Sequence, residues 1–229
     1  MYALILAGGK GERLRPYTED RPKPMVEVNG TPLIGHQLNW LEAQGVTDVI
    51  ILCGYMHEVI RESVKDGKEY GVRVQYSIED EPLGRGGAFR KGFDLVPETE
   101  EFVIGTNGDN LNSQSLDPMI AAHKDKKAYI TVMLTTLISP YGIASVDDES
   151  WIVGFSEKPK LPHWLNAGVY IISRESFSLF PTLGDHEDST FPQLSVEKKL
   201  LAFKSTSYWK AIDTVKDLTE ASKEYKEAF

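Results

Sequence analysis

Cysteine is almost missing from this chain. Its 229 residues include one, Cys53, so no disulfide can form within it. Cys53 ends the apolar run Val49-Ile50-Ile51-Leu52-Cys53 and reads as a small buried hydrophobe. A basic surplus is missing too. Lys and Arg number 25 against 34 Asp and Glu, a net charge of −9. That balance disfavours nucleic acid and anionic membranes as main partners, since both are held by basic surfaces. It leaves room for a phosphate site, which needs only a few local cations and backbone N–H groups. The five histidines are scattered, without metal-ligand spacing. No apolar run approaches the about 20 residues of a membrane span. Met1 leads directly into an apolar segment, without the charged start and cleavage site of a signal peptide, so the expected compartment is the cytoplasm. Repeats, low-complexity stretches and linkers are absent as well.

The elements that are present alternate. Tyr2 to Ala7 is a short apolar run bounded by glycines, a buried strand. Thr31-Pro32 precedes Leu33, Ile34, Leu38 and Leu41, the pattern of a helix capped by Thr31 with Pro32 at its first position and ended by Gly45. Val49 to Cys53 (strand), Glu58 to Val64 (helix), Val72 to Ile78 (strand), Gly86 to Val96 (helix) and Phe102 to Gly105 (strand) follow. Such alternation implies parallel crossovers. Beyond about residue 125 the character changes. Tyr129 to Leu137, Gly142 to Val146, Ile152 to Phe155 and Gly168 to Ile172 read as strands, with Asp147 to Ser150 as a polar hairpin turn. Helices return at Arg174 to Phe180 and in the tail from Thr214. The expected fold is α/β, a Rossmann-like, mostly parallel sheet with helices on both faces plus a smaller mixed-sheet substrate half. We read residues 1–229 as one domain, with halves of about 1–125 and 126–229.

The first strand runs into Leu6-Ala7-Gly8-Gly9-Lys10-Gly11-Glu12-Arg13-Leu14. Parallel sheets bind ligands at the carboxyl ends of their strands. Glycines there let the backbone approach a polyphosphate and present N–H groups to it, and Arg13 adds a planar fork for phosphate oxygens. Two familiar glycine motifs fail: a dinucleotide fingerprint would need glycine at Leu14, and a Walker loop would need Ser or Thr at Gly11. A tight structural turn remains open on these residues alone. The next segment holds Lys23 between Pro22 and Pro24, where the backbone is fixed. A lysine held this way is aimed at a ligand rather than merely solvated.

Taken together, Leu6-Ala7-Gly8-Gly9-x-Gly11-x-Arg13-Leu14-x-Pro16-x-Thr18 and Pro22-Lys23-Pro24-Met25 resemble the signature of the sugar-1-phosphate nucleotidyltransferases. The resemblance implies that Leu6, Ala7, Gly8, Gly9 and Gly11 line the nucleotide site, with Gly108 beside them. It implies that Arg13 and Lys23 contact the triphosphate and the transferred phosphoryl group. In the stretch Glu81-Pro82-Leu83-Gly84-Arg85-Gly86-Gly87, Glu81, Pro82, Gly84 and Gly86 would close over base and ribose. This form looks most like guanylyltransferases acting on mannose or heptose phosphates, except that Arg85 stands where Thr is expected. Asp109, in Asn107-Gly108-Asp109-Asn110 just beyond a strand, is placed to hold Mg²⁺. Glu157 and Lys158 would grip the sugar and its phosphate, and Tyr141, Gly142, Asn166 and Gly168 would line the sugar pocket. Tyr208 to Thr214 is expected to open the last helix. Many relatives carry an acid two residues after the Trp, where this chain has Ala211. The segment from Leu201 through Asp213-Thr214 resembles glucose-1-phosphate cytidylyltransferases, which also place their Asp before Thr, and this resemblance implies Asp213 as the second metal ligand, with a helix N-cap as its alternative.

The implied reaction joins a nucleoside triphosphate, GTP first, to a mannose- or heptose-type 1-phosphate and releases pyrophosphate. Lys158 holds the attacking phosphate, while Arg13 and Lys23 neutralise the transferred one. Two rivals stand beside it. One is a cytidylyl-, thymidylyl- or uridylyltransferase on glucose 1-phosphate, toward which the segment around Trp209 and Asp213 leans. The other is a non-catalytic sugar-nucleotide-binding regulator. Self-association into a homo-oligomer stays open.

Overall fold

The computed structural model describes residues 1–228; Phe229, the last residue of the expected domain, lies outside them. In chain order the elements are β1 (Tyr2–Leu6), β2 (Glu27–Val28), β3 (Thr31–Pro32), α1 (Leu33–Ala43), β4 (Asp48–Cys53), α2 (His57–Val64), β5 (Arg73–Ile78), α3 (Gly84–Phe93), β6 (Phe102–Asn107) and β7 (Asn110–Asn112). Then come α4 (Leu116–Lys126), β8 (Ile130–Ile138), β9 (Ile143–Val146), β10 (Ile152–Ser156), β11 (Lys160–Ser173), α5 (Thr190–Val196), β12 (Leu200–Lys204), β13 (Trp209–Ala211) and α6 (Val215–Ala228).

Seven strands form one sheet in the order β12-β8-β11-β6-β1-β4-β5. All neighbouring pairs are parallel except the two made by β11, which runs antiparallel to both β6 and β8. The second half of the chain thus extends the sheet begun by the first, and its strand reversal makes that side mixed. Alternation along the strands assigns the faces. Ala3, Ile5, Val49, Ile51, Ile104 and Ile171 pack with Leu38 and Leu41 of α1, Ile60 of α2 and Met119 of α4. Leu4, Ile50, Leu52, Val103 and Ile172 pack on the opposite face with Phe89 and Phe93 of α3, Phe177, and Leu194 of α5. Cys53 is fully buried in the first of these layers, and burial pushes its thiol pKa up to about 12. A third cluster joins Leu14, Val26, Val28 and Leu33 to Leu111, Ile212 and Leu218. It seats the loop after β1 against the far end of the chain. Among the described residues no helix is long and apolar enough to cross a membrane.

Several boundaries differ from the sequence reading. Thr31 and Pro32 pair with Val28 and Glu27 as strand β3, so α1 starts at Leu33 without a side-chain cap. α3 begins at Gly84 rather than Gly86. The segment before the last helix is strand β13, paired with β7, and α6 starts only at Val215. β11 is fourteen residues long rather than five, because it pairs with β8 through a register break between Asn166 and Tyr170. The helix expected at Arg174 to Phe180 is a 3-10 helix over Arg174–Leu179.

Candidate active site

The loop after β1 folds back on itself. Leu14 is fully buried in a short 3-10 turn, anchoring Glu12–Leu14, while the Arg13 side chain beside it is 72% exposed. Gly11 sits at φ +69°, and its carbonyl accepts the Thr18 hydroxyl at 2.8 Å. A Cβ at Gly11 would lie 2.8 Å from Cβ of Lys23. Glycine is required here both by backbone conformation and by the close approach of the lysine stem. The Lys23 N–H donates to Gly9 O at 3.4 Å, and Lys23 itself is only 8% exposed.

Buried this deeply, an ammonium needs partners. Lys23 Nζ donates to Asp109 Oδ2 at 2.7 Å and to Asp213 Oδ1 at 2.6 Å, and Arg13 Nη2 lies 3.2 Å from the same Asp213 oxygen. Three segments far apart in sequence meet at this ammonium. Asp109 is delivered by the turn between β6 and β7. There Gly108 N–H donates to Leu6 O at 2.8 Å, and a Cβ on Gly108 would lie 2.8 Å from that same oxygen. Asp213 is delivered by the β13–β7 pairing, in which Ala211 stands opposite Asn110, and by Ile212 N–H donating to Asp109 O at 3.1 Å. The acid two residues past Ala211 therefore faces Lys23. Asp213 does not cap α6 with its side chain. Thr214 and Asp217 do that reciprocally, Thr214 N–H donating to Asp217 Oδ2 at 2.8 Å and Asp217 N–H to Thr214 Oγ1 at 3.2 Å. Burial presses the Lys23 pKa down, but the charges and hydrogen bonds of Asp109 and Asp213 outweigh it, and the net shift is upward. For Asp213, burial raises the pKa, while Lys23 and Arg13 bring it below the usual carboxylate range.

Asp109 stands at the edge of a cavity of about 360 Å³ at the carboxyl ends of β1, β4 and β6. Leu6, Gly8, Gly9, Leu52, Pro82, Gly84, Ala88 and Asn107 line it, with Glu79, Arg85 and Asp185. Ala7 is buried beneath. A Cβ added to Gly8 or Gly9 would meet no protein atom within 4 Å, so both present bare backbone to open space. The loop before α3 is pinned by Glu79, whose Oε2 accepts Leu83 N–H at 3.0 Å. Arg85 pairs with Asp185 at 2.9 Å and with Glu187 at 2.9 Å. Glu79, Asn107 and Asp185 were not named as site residues from the sequence, and Arg85 stood out only as a departure from the expected Thr. Asp185 could not have been named, since its partner lies 100 residues away. Asn107 sat inside the quoted motif, and its buried Oδ1 has no partner among the described residues. Glu81 is exposed and outside the lining, and Gly86 packs against Pro181 and Gly184 rather than toward the cavity.

The remaining expected residues divide. In β11, Gly168 adopts φ +68° at the register break, and any side chain there would collide with Asn107. Its N–H donates to Asn166 Oδ1 at 2.9 Å, and Asn166 Nδ2 donates to the Tyr170 hydroxyl at 2.9 Å. These two residues therefore adjoin the cavity wall. Tyr141, 74% exposed, and Gly142 precede β9, and the exposed Glu157 and Lys158 follow β10. None of the four bonds to the Lys23 group. A larger hollow, about 580 Å³, opens at the opposite end of the sheet around Phe102, His123 and Arg174 and holds none of the expected site residues.

Comparison with known proteins gives a consistent picture. A family model described as nucleotidyl transferase matches residues 2–228. Mannose-1-phosphate guanyltransferase of Saccharomyces cerevisiae is 36% identical over 227 residues, covering 95% of this chain and 62% of the yeast protein. Mannose-1-phosphate guanylyltransferase of Mycobacterium tuberculosis is 31% identical over 228 residues, covering 96% of this chain and 63% of the relative. The chain thus spans somewhat less than two thirds of these proteins' length. Among solved structures, HddC from Yersinia pseudotuberculosis complexed with GMP-PN superposes with a TM-score of 0.75 at 26% identity, covering 98% of this chain and 99% of that one.

Proposed function

The chain belongs to the nucleotidyl transferase family, and from that premise we propose that it joins GTP to mannose 1-phosphate, forming a nucleoside-diphosphate sugar and releasing pyrophosphate. The observation that carries this reading is the Lys23 ammonium held between Asp109 and Asp213 at the rim of a cavity floored by bare Gly8 and Gly9 backbone. The choice of GTP and mannose rests on the relatives' names and on the guanine-type ligand named for the Yersinia structure. The segment around Trp209 and Asp213 leans toward a pyrimidine nucleotide, and the relatives' names outweigh it. We place the activity in the cytoplasm.

The chemistry needs no activated serine, cysteine or histidine. A phosphate oxygen of the sugar phosphate, already ionised near neutral pH, forms a bond to the α-phosphorus of the triphosphate. The bond from that phosphorus to the bridging oxygen breaks in line, and pyrophosphate leaves with the electron pair. The obstacle is repulsion between anions, so catalysis consists of neutralisation and positioning. Gly8, Gly9 and Gly11 cradle the phosphates. Lys23 and Arg13 face the transferring phosphoryl group and the departing charge. Lys158 holds the attacking phosphate, Glu157 a sugar hydroxyl, and Tyr141, Gly142, Asn166 and Gly168 the ring.

The donor set fits a hard divalent cation. Asp109 and Asp213 are both about one-third exposed, converge on one point, and each keeps an oxygen that no group among the described residues engages. No group of three or more such ligands exists among the described residues. The pair Asp109 and Asp213 suits Mg²⁺, which binds through one or two carboxylates and leaves its remaining positions to water and phosphate. Bound there, Mg²⁺ would supply charge neutralisation at the phosphates.

The test is kcat/KM for GTP, CTP, UTP and dTTP with mannose 1-phosphate and with glucose 1-phosphate, read by pyrophosphate release. GTP with mannose 1-phosphate is expected to lead by at least about tenfold, because a site built around one base edge leaves polar groups unpaired with another. A tenfold preference for a pyrimidine triphosphate would sink the guanylyl assignment alone. No release with any pair would sink the enzyme reading.

A further inference from the structure

Two segments far apart in sequence close one wall of the cavity. Gly86 N–H and Gly87 N–H both donate to Gly184 O, at 2.9 and 3.2 Å, and Gly184 N–H donates to Leu83 O at 2.8 Å. A Cβ on Gly84 would lie 2.8 Å from the Gly184 backbone, so the two chains touch directly. This zip sets Arg85 against Asp185. Arg85 N–H donates to Asp185 Oδ1 at 2.8 Å and Arg85 Nη2 to Asp185 Oδ2 at 2.9 Å. Arg85 Nη1 lies 2.9 Å from Glu187 Oε1. Between the two acids, His186 is fully buried, its ring edge-on to Phe89 at 5.4 Å and to Tyr170 at 5.5 Å. Arg85 and Asp185 both line the cavity, and both are held from behind rather than free to turn.

Given the transfer to a hexose 1-phosphate proposed above, we infer that Arg85 and Asp185 read two neighbouring hydroxyls of the acceptor sugar and restrict the enzyme to neutral hexoses that carry both. The place of the pair selects the sugar over the base. Leu52 and Glu79 mark the β4 and β5 side of the cavity. Arg85 and Asp185 belong to the other side. His186, next to Asp185, packs on Tyr170 of β11, and the Tyr170 hydroxyl accepts from Asn166, a residue of the sugar pocket. The charge of the wall selects the kind of sugar. The Arg85 guanidinium is already met by two carboxylates, so the wall has no surplus positive charge with which to attract a phosphate or a uronate. A hydroxyl suits it better. Each Asp185 oxygen accepts one bond from Arg85 and keeps a lone pair, and the guanidinium carries more N–H donors than its two carboxylate contacts use. One sugar hydroxyl can therefore donate to Asp185 while its neighbour accepts from Arg85. Bonds to ionised partners are the stronger kind, and a site built for a hydroxyl rejects the analogue that lacks it.

The test uses the full chain with the triphosphate and hexose 1-phosphate that the substrate panel above selects. Both kcat and KM are measured for that sugar phosphate and for each of its monodeoxy forms. With the wild type, two neighbouring monodeoxy forms should lose at least about tenfold in kcat/KM. Asp185→Asn keeps an oxygen for the Arg85 N–H, and Arg85→Lys keeps the charge, so both variants should retain the wild-type circular dichroism spectrum. Each should raise KM for the parent sugar phosphate by about tenfold and reduce the discrimination against at least one of those two forms to within about threefold, while KM for the triphosphate stays within about threefold. Discrimination that survives unchanged in both variants overturns the inference and leaves the enzyme reading standing. So does an equal loss across all the sugars, which would make the pair a brace for the loop, or a rise in KM for the triphosphate alone, which would place the pair on the nucleotide. No turnover with any substrate pair removes the enzyme reading and this inference together.

Discussion

Replacing Lys23 by methionine keeps the length of the side chain and deletes its ammonium. Asp109 and Asp213, which share that ammonium at 2.7 and 2.6 Å, would then face each other with only the exposed Arg13 nearby. Removing one member of a buried charge group costs about 3–5 kcal/mol. The two carboxylates are 35% and 38% exposed, so water screens much of that penalty, and we expect about 1–2 kcal/mol. For a chain of this size the melting temperature should fall by about 2–8 °C. The kcat for pyrophosphate release should fall further in proportion, by about 10²–10³-fold, because a charge aimed at the transferring phosphoryl group acts mainly in the transition state. The stability difference should also depend on pH in a set way. Asp213, with its pKa depressed, contributes stability that is complete above its unfolded value of about 3.9 and lost as pH falls through the lower folded value. Lys23, with its pKa raised, contributes stability that is complete below about 10.4 and lost as pH rises through the higher folded value. The gap between wild type and variant should be flat from about pH 5 to 9 and narrow toward both extremes. A variant that melts lower but keeps kcat within about threefold would make Lys23 a structural lysine and refute the catalytic reading. A gap that persists unchanged to pH 2 would refute the electrostatic one.

Asp109→Asn keeps shape and removes one charge, and turnover should drop by about 10²-fold or more at fixed Mg²⁺ with little change in melting temperature; near-normal Mg²⁺-dependent rates would take Asp109 out of the site. Gly11→Ala should cost about 1–3 kcal/mol and lower kcat as well, since the new methyl strains φ +69° and presses on the Lys23 stem. Gly45→Ala, at φ +78° with nothing within 4 Å, isolates the backbone part of that cost, and equal melting points and rates for the two variants would show that contact with Lys23 does not matter.

Much of this architecture was legible because its signals are local. The buried runs of β1 and β4 announced themselves by length and composition, and the glycine loop by its position after β1. The Lys23 environment was half legible. Two prolines flagged the residue, but its partners come from 86 and 190 residues away. They are assembled by the three-residue strands β7 and β13, which are too short and too polar to show periodicity. Asp213 was open between ligand and cap because both roles want a carboxylate before a helix. Only the neighbouring pair Thr214 and Asp217, which form the capping box, frees it for Lys23. The wall formed by Arg85, Asp185 and Glu187 is wholly tertiary. The apparent departure of Arg85 from the relatives' pattern makes sense only beside the carboxylates that receive it.

The lone antiparallel strand bears on how the chain is made as well as on what it does. During synthesis β1, β4, β5 and β6 emerge first and can assemble as a parallel sheet, but the outer edge of β6 stays open until β11 arrives. From Asn107 to Ser173 is 66 residues, or about 3–13 s of elongation at about 5–20 residues per second. For that interval a nascent chain displays the uncharged strand Phe102–Asn107 as an unpaired edge. An edge left open in this way is a template on which a neighbouring nascent copy can pair wrongly.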